Sequence, residues 1–195
     1  MPMRFRHLVA VVAFGVTATF STYALGADCI GVTVPETVKS GSADLALNGS
    51  GIRKATILNV KVYVASLYLP QKSTDASHIL TTQQPWHLVL RFVHDVDAGD
   101  MRDAFDEGFK KTAGSKLDSL KPRIQTLNAG LADFKEGNYL AFANEPASGV
   151  TVDVNGSKSI QISGADFSDA LLAIWLGEDP PNKDLKAGLL GGKCE

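Results

Sequence analysis

The sequence predicts an α+β fold, with helices layered on one face of a largely antiparallel sheet. Three features predict it: short runs of alternating apolar and polar residues, three stripes at helical spacing, and an Asn-Gly turn between two of the runs. Strands are expected at 31–34, 44–47, 55–69, 86–93, 139–144, 150–154 and 159–162. In the longest of these, Val60, Val62 and Val64 alternate with Lys61, Tyr63 and Ala65, so one face can build core while the other lines a cavity. Asn155 and Gly156 both tolerate positive φ, which makes them a hairpin turn between the last two runs. Met101, Ala104, Phe105, Gly108 and Phe109 repeat at i, i+3, i+4, i+7 and i+8, with Asp100 near the start and Lys110 and Lys111 near the end, where they suit the helix dipole. Leu117, Leu120, Ile124 and Leu127 form a second stripe, in which Pro122 is expected to kink the helix or start a new one. A third stripe, Phe167, Ala170, Leu171 and Ile174, ends at Gly177 and the Pro180-Pro181 pair.

Composition supports one globular domain, since 45% of residues are hydrophobic and 21% charged. Residues 1–27 read as a secretory signal. Arg4 and Arg6 form a basic start, 8–20 is an apolar core, and the stretch STYALGA supplies small residues for cleavage near Gly26 or Ala27. That core is too short for a stable membrane span, which takes about 20 residues. Asp28 before Cys29 does not fit a lipoprotein processing site. The expected product is therefore a periplasmic or secreted domain over 28–195. Loss of Arg4 and Arg6 leaves 17 Lys and Arg against 21 Asp and Glu, a net charge of −4. An acidic chain with no basic patch gains nothing from counterion release, which argues against nucleic acid as a partner. Cys29 and Cys194, the only cysteines, lie at the two ends of the mature chain in an oxidising compartment and are expected to form a disulfide. No C-x-x-C and no nearby His supports a metal site or a reactive thiol instead.

Arg53 stands at the entrance of the long β-branched and aromatic run. Beside an apolar cleft its planar, permanently charged fork would orient a carboxylate, phenolate or enolate. A solvated arginine or a structural ion pair is the alternative reading of the same residue.

Three stretches in order resemble the chalcone isomerase-like family in its bacterial, exported branch. They are G-x-G-x-R followed by K-V-Y-x-A-x-L-Y-L, the segment WHLVLRFVHDVDAGDMRDAFDEGF, and DFSDALLAIWLGEDPPNKDLKAGLLG. The resemblance implies an open-faced β-sandwich with a ligand cleft between sheet and helices. In the plant isomerases it also implies an arginine, a strand threonine, a helix tyrosine and asparagine, and a late Thr or Ser. Arg53 matches the arginine. The threonine falls at Tyr63 or Ala65, the tyrosine and asparagine near Met101 and Gly108, and the late residue near Ile174, so four of the five polar groups are lost. Flavanone formation needs several such donors around the developing oxyanion, each contributing about 3 or 4 kcal/mol. The fatty-acid-binding branch of the family implies an arginine paired with a tyrosine, for which Tyr63 and Tyr68 are the candidates.

The leading reading is non-catalytic binding of a small amphiphilic anion such as a fatty acid. Arg53 is its anchor, with Tyr63 or Tyr68 beside it and Phe105, Phe109, Ile174 and Trp175 as walls. An isomerase or intramolecular lyase acting on an enone-like substrate is the alternative. A structural partner-binding module comes third. Asp95 and Asp97 read as turn and cap residues before a helix. His78, His87 and His94 lack metal-ligand spacing, and neither a metal nor a cofactor is expected. A haem role, which the resemblance raises for some relatives, would make His94 the first axial candidate. Nothing in the sequence specifies an oligomeric state.

Overall fold

The computed structural model describes residues 26–194 apart from Ser42 and Ile57. Except for Gly26 and Ala27, the expected signal segment lies outside them. Two short strands, β1 (Ala27–Cys29) and β2 (Val32–Val34), form a separate antiparallel ribbon. The main sheet has seven strands in sequence order, each antiparallel to the next: β3 (Thr37–Ser40), β4 (Ala43–Ala55), β5 (Val60–Leu69), β6 (Trp86–Phe92), β7 (Tyr139–Glu145), β8 (Gly149–Val154) and β9 (Lys158–Ile162). Helix α1 (Ala76–Thr81) connects β5 to β6. Helices α2 (Ala98–Thr112) and α3 (Leu117–Gly130) connect β6 to β7, and α4 (Ala165–Leu176) and α5 (Lys183–Leu189) follow β9. The result is an α+β open-faced sandwich.

Period-2 patterning assigns each strand residue to one of two faces. Leu88, Leu90 and Phe92 of β6 point to the helices and join Phe105, Leu171 and Trp175 in the main core. The opposite face carries a smaller cluster in which Cys29 and Val34 of the ribbon cover Leu45, Leu47, Val64 and Tyr68. Cys29 and Cys194 are disulfide-bonded across 165 residues of chain, as the cysteine pattern predicts. Asn155 and Gly156 take φ of 54° and 66°, the positive pair that the hairpin requires.

Several elements differ from the sequence expectation. The run 55–69 is not one strand, because β4 ends at Ala55 and its antiparallel partner β5 starts at Val60, with Thr56 and Asn59 at positive φ between them. No glycine marks that turn. Helix α3 runs through Pro122, whose missing N–H removes only one intrahelical bond. Helices α1 and α5 and strands β1 and β3 are too short for their periodicity to stand out.

A bulge in β4 decides where the most consequential residue points. Leu45 and Leu47 lie on the ribbon side, so an unbroken strand would place Arg53 there too. The register instead shifts between Leu47 and Gly49, which leaves Asn48 unpaired in the ladder and moves Ser50 and Ile52 to the ribbon side. Gly49, Gly51 and Arg53 consequently face the helices. Asn48 is held by three hydrogen bonds. Its Nδ2 donates to the Ser73 and Leu189 carbonyls at 2.9 and 2.7 Å, and its Oδ1 accepts from Ser73 N–H at 2.7 Å. Helix α5 lies backbone-to-backbone on this stretch. A Cβ on Gly49 would meet the Gly188 carbonyl, one on Gly51 the Leu185 backbone, and one on Gly188 the Ser50 carbonyl.

Two measurements check this account. Gly188→Ala is expected to lower stability by about 1–3 kcal/mol, read as a lower urea midpoint, because α5 must lift from β4 to admit the methyl group. An unchanged midpoint would contradict the close approach. The second concerns Asp166 at the start of α4, which accepts two hydrogen bonds from Arg123 of α3 at 2.6 and 2.7 Å. That guanidinium holds the Asp166 carboxyl below the usual carboxylate range. A carboxyl depressed in the folded state contributes its stability above the unfolded value of about 4 and loses it as pH falls through the folded value. Asp166→Asn is therefore expected to flatten the fall in urea midpoint below about pH 4.

Candidate functional site

Arg53 and Tyr63 are register partners across β4 and β5, so their side chains leave the sheet together on the helix side. The antiparallel pairing brings them together even though the chain turns between them. Beyond them a cleft of about 600 Å³ opens between the sheet and helices α2 and α4. Its walls include Val62, Leu90, Met101, Phe105, Ile174 and Trp175, and its mouth carries His94, Asp100, Glu107, Lys111 and Asp179.

The guanidinium is half-buried and held from one side only. Nη1 donates to Asn182 Oδ1 at 3.1 Å, to the Pro181 carbonyl at 3.3 Å and to the Lys54 carbonyl. Asn182 stands at the N-terminus of α5, and its Oδ1 also accepts Lys54 N–H at 2.9 Å. Among the described residues, no partner takes Nε or Nη2. Nor, among the described residues, does any carboxylate form an ion pair with Arg53. It is neither a fully solvated arginine nor half of a structural ion pair.

Tyr63 is 7% exposed, and its hydroxyl oxygen accepts the Trp175 indole N–H at 3.0 Å. Burial raises the phenol above its ordinary pKa, while the Trp175 hydrogen bond and the Arg53 charge act in the opposite direction. The hydroxyl stays protonated at neutral pH. With its acceptor lone pair occupied by Trp175, its own hydrogen has no acceptor among the described residues. Arg53 and Tyr63 therefore both line the cleft, the guanidinium with an uncommitted edge and the phenol with an uncommitted hydrogen.

The remaining candidate residues divide. Phe105, Ile174 and Trp175 line the cleft, with Phe105 edge-on to Trp175 at 6.1 Å. Phe109 does not, because it lies one step further round α2 and packs fully buried on Phe167 with ring centroids 5.2 Å apart. Tyr68 is absent from the cleft as well. It is an odd number of residues from Tyr63 on the same strand, so it faces the ribbon side. Asp95 is a turn residue whose carboxylate accepts Glu136 N–H and the Lys135 ammonium, each at 3.0 Å. Asp97 occupies the N-cap position of α2, but its side chain makes no capping bond, and Asp133 accepts Ala98 N–H instead. Sequence reasoning missed Asn182 and Pro181, which position the anchor from more than a hundred residues away and carry no local signal.

Met101, Gly108 and Ile174 all reach the cleft, and none offers a hydrogen-bond donor there. A Cβ on Gly108 would come within 2.9 Å of Ile174 Cδ1, so Ile174 occupies the volume that a side chain at 108 would need. Thr112 is the nearest hydroxyl on α2, and it is tied to the Gly108 and Ala170 carbonyls at 3.1 and 2.8 Å.

The sequence profile of the chalcone isomerase-like family matches residues 26–191. This chain belongs to that family. Among solved structures, the Arabidopsis thaliana fatty-acid binding protein AtFAP1 superposes with a TM-score of 0.65 at 16% identity, over 82% of this chain and 92% of that one. That likeness establishes a shared chalcone isomerase-like fold. No curated protein sequence matches the chain.

The support of Arg53 can be probed apart from any ligand. Asn182→Ala removes the acceptor of both Lys54 N–H and Arg53 Nη1 and is expected to cost about 1–3 kcal/mol in urea unfolding. If stability is unchanged, α5 does not hold the anchor as described.

Proposed function

We propose that this protein binds a single amphiphilic carboxylate, of the fatty-acid class, without transforming it, and that it does so after export. The observation that carries the reading is the Arg53–Tyr63 pair, whose uncommitted N–H and O–H donors line a cleft with apolar inner walls and a charged mouth. A carboxylate would accept from the unpaired side of the guanidinium and from the Tyr63 hydroxyl, while its chain lies against Leu90, Met101, Phe105 and Ile174. The cleft volume, about 600 Å³, is ordinary for a site that encloses a small ligand. The fatty-acid binding named for AtFAP1 supports the ligand class by analogy of fold. Export is supported by the basic start, apolar core and small residues of 1–27, and by the Cys29–Cys194 disulfide. Among the described residues, no helix is long and apolar enough to cross a membrane.

Catalysis on an enone is the weaker reading, because Met101, Gly108 and Ile174 add no hydrogen-bond donor to Arg53 and Tyr63 on the inner wall. Native mass spectrometry with lipid extraction, on wild type and Arg53→Ala purified from the exported fraction, tests the proposal. A discrete fatty-acid adduct on the wild type, with palmitate affinity at least about tenfold weaker in the variant, is the expected result. Empty wild-type protein that also fails to take up palmitate would overturn it.

A further inference from the structure

The sheet has a second face, and the ribbon covers only part of it. Between the ribbon and the β8–β9 hairpin runs a groove of about 640 Å³, on the opposite side of the sheet from the Arg53 cleft. Its floor is built from small side chains, Ala141 and Ala143 of β7 with Ser159 of β9, and Val32, Val34 and Val38 form one wall. Such a floor leaves room for a flat body to lie directly on the strands.

Two polar groups in this groove lack partners. Tyr68 and His87 are register partners on β5 and β6, and their rings meet edge-on at 6.2 Å. The Tyr68 hydroxyl has no hydrogen-bond partner among the described residues, and Tyr68 lines the groove. Beside it His87 Nδ1 is buried and unpaired. Buried polar atoms are nearly always satisfied, so this orphan on the wall of a cavity, next to an uncommitted hydroxyl, marks a place where something else supplies the bond. Burial lowers the His87 pKa and pushes the Tyr68 pKa up to about 12, so both groups are neutral at neutral pH and can bond without a desolvated charge of their own.

The charge in the groove is also selective. Asp153 is committed, accepting the Tyr139 hydroxyl at 3.0 Å and Gly156 N–H at 2.7 Å. Arg91 is less committed. It stacks over the Tyr139 ring at 5.5 Å and makes a single long hydrogen bond, 3.3 Å, to the Gly137 carbonyl. The groove therefore offers the Arg91 cation, the Tyr68 hydroxyl and the His87 imidazole beside a small-residue floor. We propose that this groove is a second ligand site that takes a small planar aromatic carboxylate, with its acid group held by Arg91, Tyr68 and His87 and its ring laid over Ala141 and Ala143.

Naphthoate serves as the probe, with cyclohexylacetate as the non-planar control, and methyl-resolved NMR reports which face is occupied. The expected result is saturable shifts of the Ala141, Ala143 and Val89 methyls with naphthoate, and weaker ones with cyclohexylacetate. Tyr68→Phe removes a hydroxyl that has no internal partner, so it leaves the fold intact and is expected to weaken naphthoate binding roughly tenfold, as is Arg91→Gln. Shifts confined to the Met101 and Ile174 methyls would place the probe in the cleft and overturn the proposal. So would the absence of shifts at millimolar naphthoate, or an affinity unchanged in Tyr68→Phe.

Discussion

The extra residue at Asn48 governs the site. Without it, strand parity would turn Arg53 to the ribbon side, among Leu45 and Leu47, and the cleft would have no cation from β4. A bulge is stable only if its unpaired residue finds other partners, and Asn48 finds them in Ser73 and Leu189. Those partners bind the end of α5 to the bulge. Gly49, Gly51 and Gly188 then let the helix backbone settle directly on the strand, which brings Pro181 and Asn182 against Arg53. One local irregularity thus fixes both where the guanidinium points and which of its edges is occupied.

That constraint explains the chemistry left in the cleft. The guanidinium is fed from the α5 side through Nη1, which leaves its remaining edge to whatever enters. Trp175 does the same for Tyr63 by occupying the hydroxyl oxygen and leaving the hydrogen. Both are positioned donors on the inner wall, where Met101, Gly108 and Ile174 add no polar group, while the titratable side chains His94, Asp100, Glu107, Lys111 and Asp179 stand at the mouth.

The fold was largely legible because its signals are periodic. Strands β6 to β9, helices α2 and α4, the Asn155-Gly156 turn and the disulfide all follow from local pattern or composition. The β4–β5 turn was not legible, since Thr56 and Asn59 accept positive φ where a glycine would have announced it. Arg53 and Tyr63 could be named as candidates, but their partnership is a property of antiparallel register and not of parity along one strand. Of the two alternative tyrosines, Tyr68 lies on the opposite face from Tyr63, since five residues along one strand change the face. Asn182 and the bulge at Asn48 were invisible, because both act through contacts distant in sequence.

The disulfide links the two sides of the molecule. Cys29 belongs to the ribbon that walls the outer groove, and Cys194 follows the α5 segment that supports Arg53. A bond closing so long a loop contributes up to about 5 kcal/mol by restricting the unfolded chain. In the folded protein it does something more specific. The ribbon touches the main sheet mainly through a small cluster at the β4–β5 side, whereas α5 is seven residues long but anchored by buried Leu185 and Leu189. Joined to the end of α5, the ribbon cannot lift from the sheet without drawing on the contacts of that helix. The covalent tie therefore stabilises the support of the cleft anchor on one face and the wall of the groove on the other.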